Sequence, residues 1–362
     1  MISAKEQLRQ KLNTDIMSAG LCAKWQDRQG LNANKIRSYM RLTPKEYRKL
    51  LVSLSNTVET QMCANQWNDI NFSHVPSVAA ARYQKAFSRH TTKYAEYKAA
   101  LASGDSSVKI TAGAVYPYDV IRSLNNGDTT VANEQWKALP NYLEGSNENI
   151  MPLVDVSGSM DGVSVSGSVT ALDVAISLGL YLSERAGGVF KDQFITFSGS
   201  PEMLKVSGSL KQRYDQMERS NWAVNTNIQA AFELILNAAV KHKVPEAEMI
   251  TKLLILSDME FDGCVTVGTT STSRWGSGGA AVSVSAMDMI RAKYAAAGYK
   301  LPQVIFWNLN GRAGNSPVTY NEVGTALVSG FSPSIVKSVL GGEELTPISI
   351  MLKTVLISRY DF

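Results

Sequence analysis

Asp155, Ser157 and Ser159 stand at alternate positions directly after an apolar run, Leu153-Val154, and place one carboxylate and two hydroxyls in a single turn. Gly158 between the serines is expected to let the backbone bend enough for the three oxygens to converge. Hard oxygen donors from one tight loop, with no His or Cys nearby, suit a small divalent cation such as Mg²⁺. The same pattern also fits a capped turn before a helix. A second apolar run, Lys252 to Leu256, ends in Ser257-Asp258, and between the two lies Asn225-Thr226-Asn227, ahead of an amphipathic segment over 228–240 that reads as a helix.

Other chemistries find little support. The chain has three histidines, His74, His90 and His242, and the last sits in Lys241-His242-Lys243, far in sequence from the serine loop that a Ser-His-Asp triad would need. No phosphate-binding GxxxxGK[ST] or GxGxxG pattern follows a strand. Asp155 and Asp258 could hold metal for phosphodiester hydrolysis, but the hydroxyl donors and the lack of a general base count against it. A binding protein rather than an enzyme is expected. Cys22, Cys63 and Cys264 are odd in number and far apart, which argues for reduced thiols and against structural zinc. No apolar stretch approaches the ~20 residues of a membrane span, and the first residues lack the apolar core of a signal peptide. A cytoplasmic protein without a membrane partner is the expectation.

Charge is unevenly placed. Residues 1–148 hold 19 Lys+Arg against 13 Asp+Glu, whereas the remainder holds 17 against 19. The excess concentrates in Lys24, Arg28, Lys35, Arg37, Arg41, Lys45, Arg48 and Lys49, opposed only by Asp27 and Glu46. Such a cluster reads either as a phosphate track for RNA or as the solvated face of a helix pair.

The elements that must position these groups fall into two blocks. Residues 1–148 read as helical: Thr43-Pro44-Lys45-Glu46 is a helix start with a capping box, followed by Tyr47, Leu50, Leu51, Leu54 and Val58 at helical spacing. Residues 79–102 predict one or two helices in which Tyr83, Phe87, Tyr94 and Tyr97 alternate with Lys85, Arg89, Lys93 and Lys98; the rings either pack helix on helix or stack on unpaired bases. The polar, turn-rich stretch 140–149 marks the boundary. From Ile150 strands and helices alternate, the signature of a parallel α/β sheet: strands near 150–155, 190–197, 203–206, 253–257, 304–307 and 326–329, with helices near 171–185, 228–240 and 286–297. This block runs over 149–346, with a helix start at Ser332-Pro333, and an apolar segment over 347–362 packs back on a domain. A Gly/Ser/Thr-rich loop over 262–281, with Arg274 and Trp275, is expected to form a flap beside the third carboxylate-bearing turn.

The three loops resemble the metal-ion-dependent adhesion site of von Willebrand factor A domains. That resemblance assigns Asp155, Ser157 and Ser159 to the first loop, Thr226 to the second and Asp258 to the third, with Mg²⁺, Mn²⁺ or Ca²⁺ as the cation and an acidic side chain of a protein partner completing its shell. Glu260 and Asp262 would hydrogen-bond metal waters or cap the loop. Ala23-Lys24-Trp25, Lys45-Glu46-Tyr47-Arg48-Lys49, Ala86-Phe87-Ser88-Arg89-His90, Lys109-Ile110-Thr111-Ala112-Gly113-Ala114, Leu143-Glu144-Gly145, Leu256-Ser257-Asp258-Met259-Glu260-Phe261-Asp262 and Leu327-Val328-Ser329-Gly330-Phe331-Ser332-Pro333 resemble a family that joins a TROVE-like helical region to a von Willebrand A domain. It is similar, more distantly, to the Ro autoantigen proteins, whose helical ring binds small structured RNAs and the ends of misfolded RNAs. The resemblance implies an α/β von Willebrand A domain (Rossmann-like, mostly parallel sheet) behind an all-α N-terminal region; at 148 residues that region departs from the Ro-like pattern, being too short for a complete ring. Two functions are compatible with it: an RNA-binding or ribonucleoprotein scaffold for structured or single-stranded RNA, or a protein–protein assembly module, a homo-oligomer or virion component, with no RNA role.

Overall fold

The computed structural model describes residues 23, 26–55, 57–126, 129–143, 148–166, 169–220, 228–258, 284–310, 325–330, 352 and 356. Two compact units divide the chain, 1–111 and 112–362.

The first unit is helical: α1 (Gly30–Tyr39), α2 (Pro44–Leu54), α3 (Val58–Cys63), α4 (Ser77–Arg82), α5 (Gln84–His90) and α6 (Lys93–Ser103). Thr43 starts α2 as its sequence requires. Its hydroxyl accepts the Glu46 N–H at 3.3 Å, and the Glu46 carboxylate accepts the Thr43 N–H at 2.9 Å. Tyr47 and Leu51 then bury against Ala23 and Ala33, with Ile36, Leu42 and Leu54 at the margin. Val58 does not extend this stripe: α2 closes at Ser55 and Val58 begins α3.

The stretch over 79–102 folds as three helices rather than one or two. The Thr91 hydroxyl accepts the Lys93 N–H at 3.2 Å and donates to the Asn68 side chain at 2.7 Å, which holds the break before α6. The rings pack together: Phe72 lies 5.2 Å from Phe87, 4.9 Å from Tyr94 and 5.5 Å from Tyr97, centroid to centroid. Phe87, Tyr94 and Tyr97 therefore serve the core, while Lys85, Arg89 and Lys93 between them are exposed. Burial pushes the Tyr97 phenol up to about 12, and its O–H donates to the Lys109 carbonyl at 2.8 Å.

The second unit opens with α7 (Pro117–Asn126) and α8 (Thr129–Lys137) and continues with β1 (Ile150–Val154), α9 (Gly158–Gly162), β2 (Ser164–Ser166), β3 (Val169–Thr170) and α10 (Ala171–Ser183). It proceeds through β4 (Gln193–Thr196), β5 (Met203–Lys205), α11 (Leu210–Glu218), α12 (Ile228–His242), β6 (Lys252–Ser257), α13 (Val284–Ala296), β7 (Gln303–Asn308) and β8 (Thr325–Ser329). Six strands form one sheet in the order β5-β4-β1-β6-β7-β8, parallel except for the edge strand β5. The helix start expected at Ser332 and the segment over 347–362, apart from two positions, lie outside the described residues.

The central strands β1, β6 and β7 are apolar between their ends and buried, as strands of a parallel sheet covered on both faces are. Leu153, Leu253 and Ile255 pack with Phe232, Ile235, Tyr294 and Phe306 in one core. On another side, Gly179 lets α10 approach β1 so closely that a Cβ there would stand 2.6 Å from Val154 Cγ2. The residues preceding the sheet are fastened to α10 by polar contacts. Trp136 Nε1 donates to both oxygens of Glu184, at 3.0 and 2.8 Å, and the Arg213 guanidinium pairs with the same carboxylate. The Tyr181 hydroxyl donates to the Pro140 carbonyl at 2.6 Å and accepts the Tyr142 N–H at 2.8 Å. Arg185 stacks on the Tyr181 ring at 3.6 Å.

Strand order also sets where a ligand would go. From β1 the chain moves to β4 on one side; after β6 it moves to β7 on the other. The connections leaving β1 and β6 thus diverge, which opens a crevice at the carboxyl ends of those two neighbours.

Candidate metal centre

Asp155 immediately follows β1 and Asp258 immediately follows β6, so the two carboxylates come from the pair of strands flanking that crevice. Both are buried, 2% and 4% exposed. The Asp155 N–H continues the ladder to the Leu256 carbonyl at 3.0 Å. Its Oδ1 accepts the Ser157 N–H at 2.9 Å, and its Oδ2 accepts the Ser257 hydroxyl at 2.7 Å. The first of these bonds makes the turn.

Ser157 and Ser159 stand with their hydroxyl oxygens 3.0 Å apart, at half-buried and exposed positions. Val156 and Met160 are buried on either side of them and anchor the loop. Gly158 plays a smaller part than its sequence position suggests. It does not take a positive φ, and a Cβ there would meet nothing within 4 Å. The Asp155 side chain shapes the turn, so glycine is not required for the bend.

Electrostatics favour a cation. Burial pushes the Asp155 carboxyl above its usual range, hydrogen bonds from Ser157 and Ser257 pull it back, and the Asp258 charge pushes it up again. Among the described residues no Lys or Arg pairs with Asp155. Two buried carboxylates with hydroxyls at the crevice mouth match the donor chemistry of a small hard cation, whose charge would offset their mutual repulsion. The donor set fits.

The structure thus brings together Asp155, Ser157, Ser159 and Asp258. Thr226 lies outside the described residues, as do Lys24, Glu260, Asp262 and the loop over 262–281. Sequence reasoning passed over Ser257, which binds Asp155 across the strand pair; the signal was a hydroxyl directly before the acid that ends an apolar strand. Buried Ser198 and Asn308, at the carboxyl ends of β4 and β7, line the same rim of the sheet. In the first unit Arg28, Lys35, Arg41, Lys45, Arg48 and Lys49 are exposed and Arg37 is half-buried. None of the seven makes an ion pair with a described residue. Asp27 instead accepts from the Asn32 amide at 3.1 Å, and Glu46 closes the capping box.

These observations define a chain with a helical N-terminal unit and a mostly parallel α/β sheet that carries a carboxylate–hydroxyl cluster at its switch point. It belongs to the family described as "Domain of unknown function (DUF7788)", matched over residues 149–353. Residues 10–147 match a second description, "Domain of unknown function (DUF2828)". An uncharacterized protein from Acanthamoeba polyphaga mimivirus is 32% identical over 369 residues, covering 93% of this chain and 60% of that protein. The chain therefore spans about 60% of the length of this relative. The crystal structure of the Deinococcus radiodurans RO (RSR) protein superposes with a TM-score of 0.41 at 12% identity, covering 91% of this chain and 75% of that one. Among the described residues no helix is long and apolar enough to cross a membrane.

Proposed function

We propose that the protein is a metal-dependent binding protein: an RNA-binding scaffold whose sheet domain, of von Willebrand A type, recruits an acidic protein ligand. The observation that carries the metal half is the convergence of Asp155, Asp258, Ser157 and Ser159 at the topological switch point. Asp155, Ser157, Ser159, Thr226 and Asp258 would hold Mg²⁺. When bound, such a cation supplies a coordination position that a partner carboxylate can take. The chain's own contribution is to fix Asp155 through Ser157 and Ser257 and to keep the two carboxylates away from water. Calorimetric titration with Mg²⁺ tests this: the wild-type protein should bind, and Asp155→Ala and Ser159→Ala should each lose the heat while remaining folded. Equal heats in all three proteins would remove the site.

The RNA half is supported by the seven described cations of the cluster over 28–49, six of them exposed and none in an ion pair with a described residue, and by the sequence resemblance to Ro-like proteins. Fluorescence anisotropy with RNA at two salt concentrations measures it. Binding that weakens steeply with salt is expected. Flat anisotropy with folded protein would leave the assembly-module reading in its place.

A further inference from the structure

Tyr39 is the most exposed of the large hydrophobic side chains among the described residues, at 84%. It makes no hydrogen bond and no ring contact with any described residue, whereas Phe72, Phe87, Tyr94 and Tyr97 of the same unit are buried against one another. Its setting is cationic. Lys35 stands one turn before it on the same side of α1, and Arg41 follows two residues later in the turn that closes the helix, neither with an ion pair to a described residue.

The helix end that displays Tyr39 is fixed. The Leu42 N–H reaches back to the Arg37 carbonyl at 2.9 Å and the Arg41 N–H to the Ser38 carbonyl at 3.1 Å, with Arg41 at a φ of +51°. This left-handed closing position favours glycine, and arginine occupies it. Helix α12 ends the same way at Lys243, so a cation there answers the negative pole of a helix end. At Arg41 it also stands two residues along the chain from an exposed ring.

From the exposed ring and its flanking cations we infer that Tyr39 is a stacking platform for an unpaired base of RNA, with Arg41 and Lys35 holding the adjoining phosphates. The inference rests on the RNA reading above and narrows it to single-stranded RNA. A duplex offers no free base face to the ring, and the energy of stacking is open only to unpaired bases. Positive charge without the ring would serve duplex and single strand alike.

Anisotropy titrations of the full chain with a 15-nucleotide oligouridine and a 15-base-pair RNA duplex test it. The single strand should bind more tightly. Tyr39→Ala should weaken single-strand binding roughly 5- to 100-fold without changing the slope of log Kd against log salt, and Tyr39→Phe should restore it. Arg41→Gly should lower that slope by about 0.7, the loss of one phosphate contact to a single strand. Equal affinity for duplex and single strand, or a Tyr39→Ala variant as tight as wild type, would overturn the stacking inference and leave RNA binding intact. No binding to either RNA would overturn both. Binding to phosphatidylserine vesicles in place of RNA would also overturn both, and would assign Leu31, Tyr39 and the lysines to a lipid surface.

Discussion

Burial and the Asp258 charge push the Asp155 carboxyl up, while Ser157 and Ser257 draw it back by donating hydrogen bonds. The net direction is upward, so the folded chain holds this proton to a higher pH than the unfolded chain, where the group titrates near its ordinary value of 3.8. Between those two values the folded state binds more protons, and the stability of the metal-free protein falls as pH rises through the window. Asp155→Asn removes the charge and keeps an acceptor for the Ser157 N–H. In EDTA at neutral pH it should therefore melt higher than wild type, by roughly 2–4 °C for each kcal/mol relieved, and the gap should close on acidification. Added Mg²⁺ should raise the wild-type melting temperature and leave the variant unmoved. An Asp155→Asn protein that melts lower than wild type in EDTA would mean that the hydrogen bonds outweigh the cost of the buried charge.

At the scale of elements, two contacts make opposite predictions about stability. A methyl group on Gly179 would stand 2.6 Å from Val154 Cγ2 and 3.1 Å from Met217 Sδ. Gly179→Ala must displace the Val154 side chain or push α10 away from β1, and should cost about 1–3 kcal/mol in urea unfolding. Because Val154 directly precedes Asp155, the same variant should weaken Mg²⁺ binding. Arg41→Gly should act the other way, relieving a left-handed arginine and gaining about 1 kcal/mol, even as it loses affinity for RNA. A variant that is both more stable and a weaker binder is the expected sign of a residue kept for its charge. Some of these elements were legible in sequence. Thr43-x-x-Glu46 marked α2, and the apolar runs before Asp155 and Asp258 marked β1 and β6. Helix α11 is less legible although Ser209 and Gln212 form its capping box, because no strong apolar periodicity runs through it. The hairpin of β2 and β3 comes from a Ser/Gly/Val repeat that reads equally well as loop. The aromatic stretch over 79–102 left packing and base stacking open because ring spacing alone does not say which face is covered; that takes Phe72, brought in from a 3₁₀ turn earlier in the chain.

For the whole molecule, charge distribution is the feature with the most direct consequence. Sequence showed that the basic excess lies in residues 1–148, and the structure adds that the seven described cations of the cluster over 28–49 make no ion pair with a described residue. If all seven met phosphates of a single strand, log Kd would change with log salt with a slope of about 5, and fewer contacts give a proportionally smaller value. Measured slopes above that bound would require cations outside this cluster. Charge reversal at Lys45 and Arg48 should lower the slope and leave Mg²⁺ binding unchanged, since the carboxylate–hydroxyl cluster is built from the sheet unit alone. Asp155, Ser157, Ser159 and Asp258 were readable as neighbours because each follows the end of an apolar strand; Thr226 lies outside the described residues. Ser257 was not, because its role depends on β1 and β6 being neighbours, and strand order is a tertiary fact.

The tethering of Asp155 carries a last consequence. Its amide is tied to Leu256, one carboxylate oxygen to Ser157 and the other to Ser257. The side chain has lost its rotational freedom when the chain folds, before any ligand arrives. Capture at this crevice then entails little further loss of conformational entropy from the carboxylate. A donor fixed in advance also cannot swing to follow ions of different radius, so it would favour the ion whose radius it fits, and tolerance of a larger ion such as Ca²⁺ would fall to whichever neighbours remain free to move.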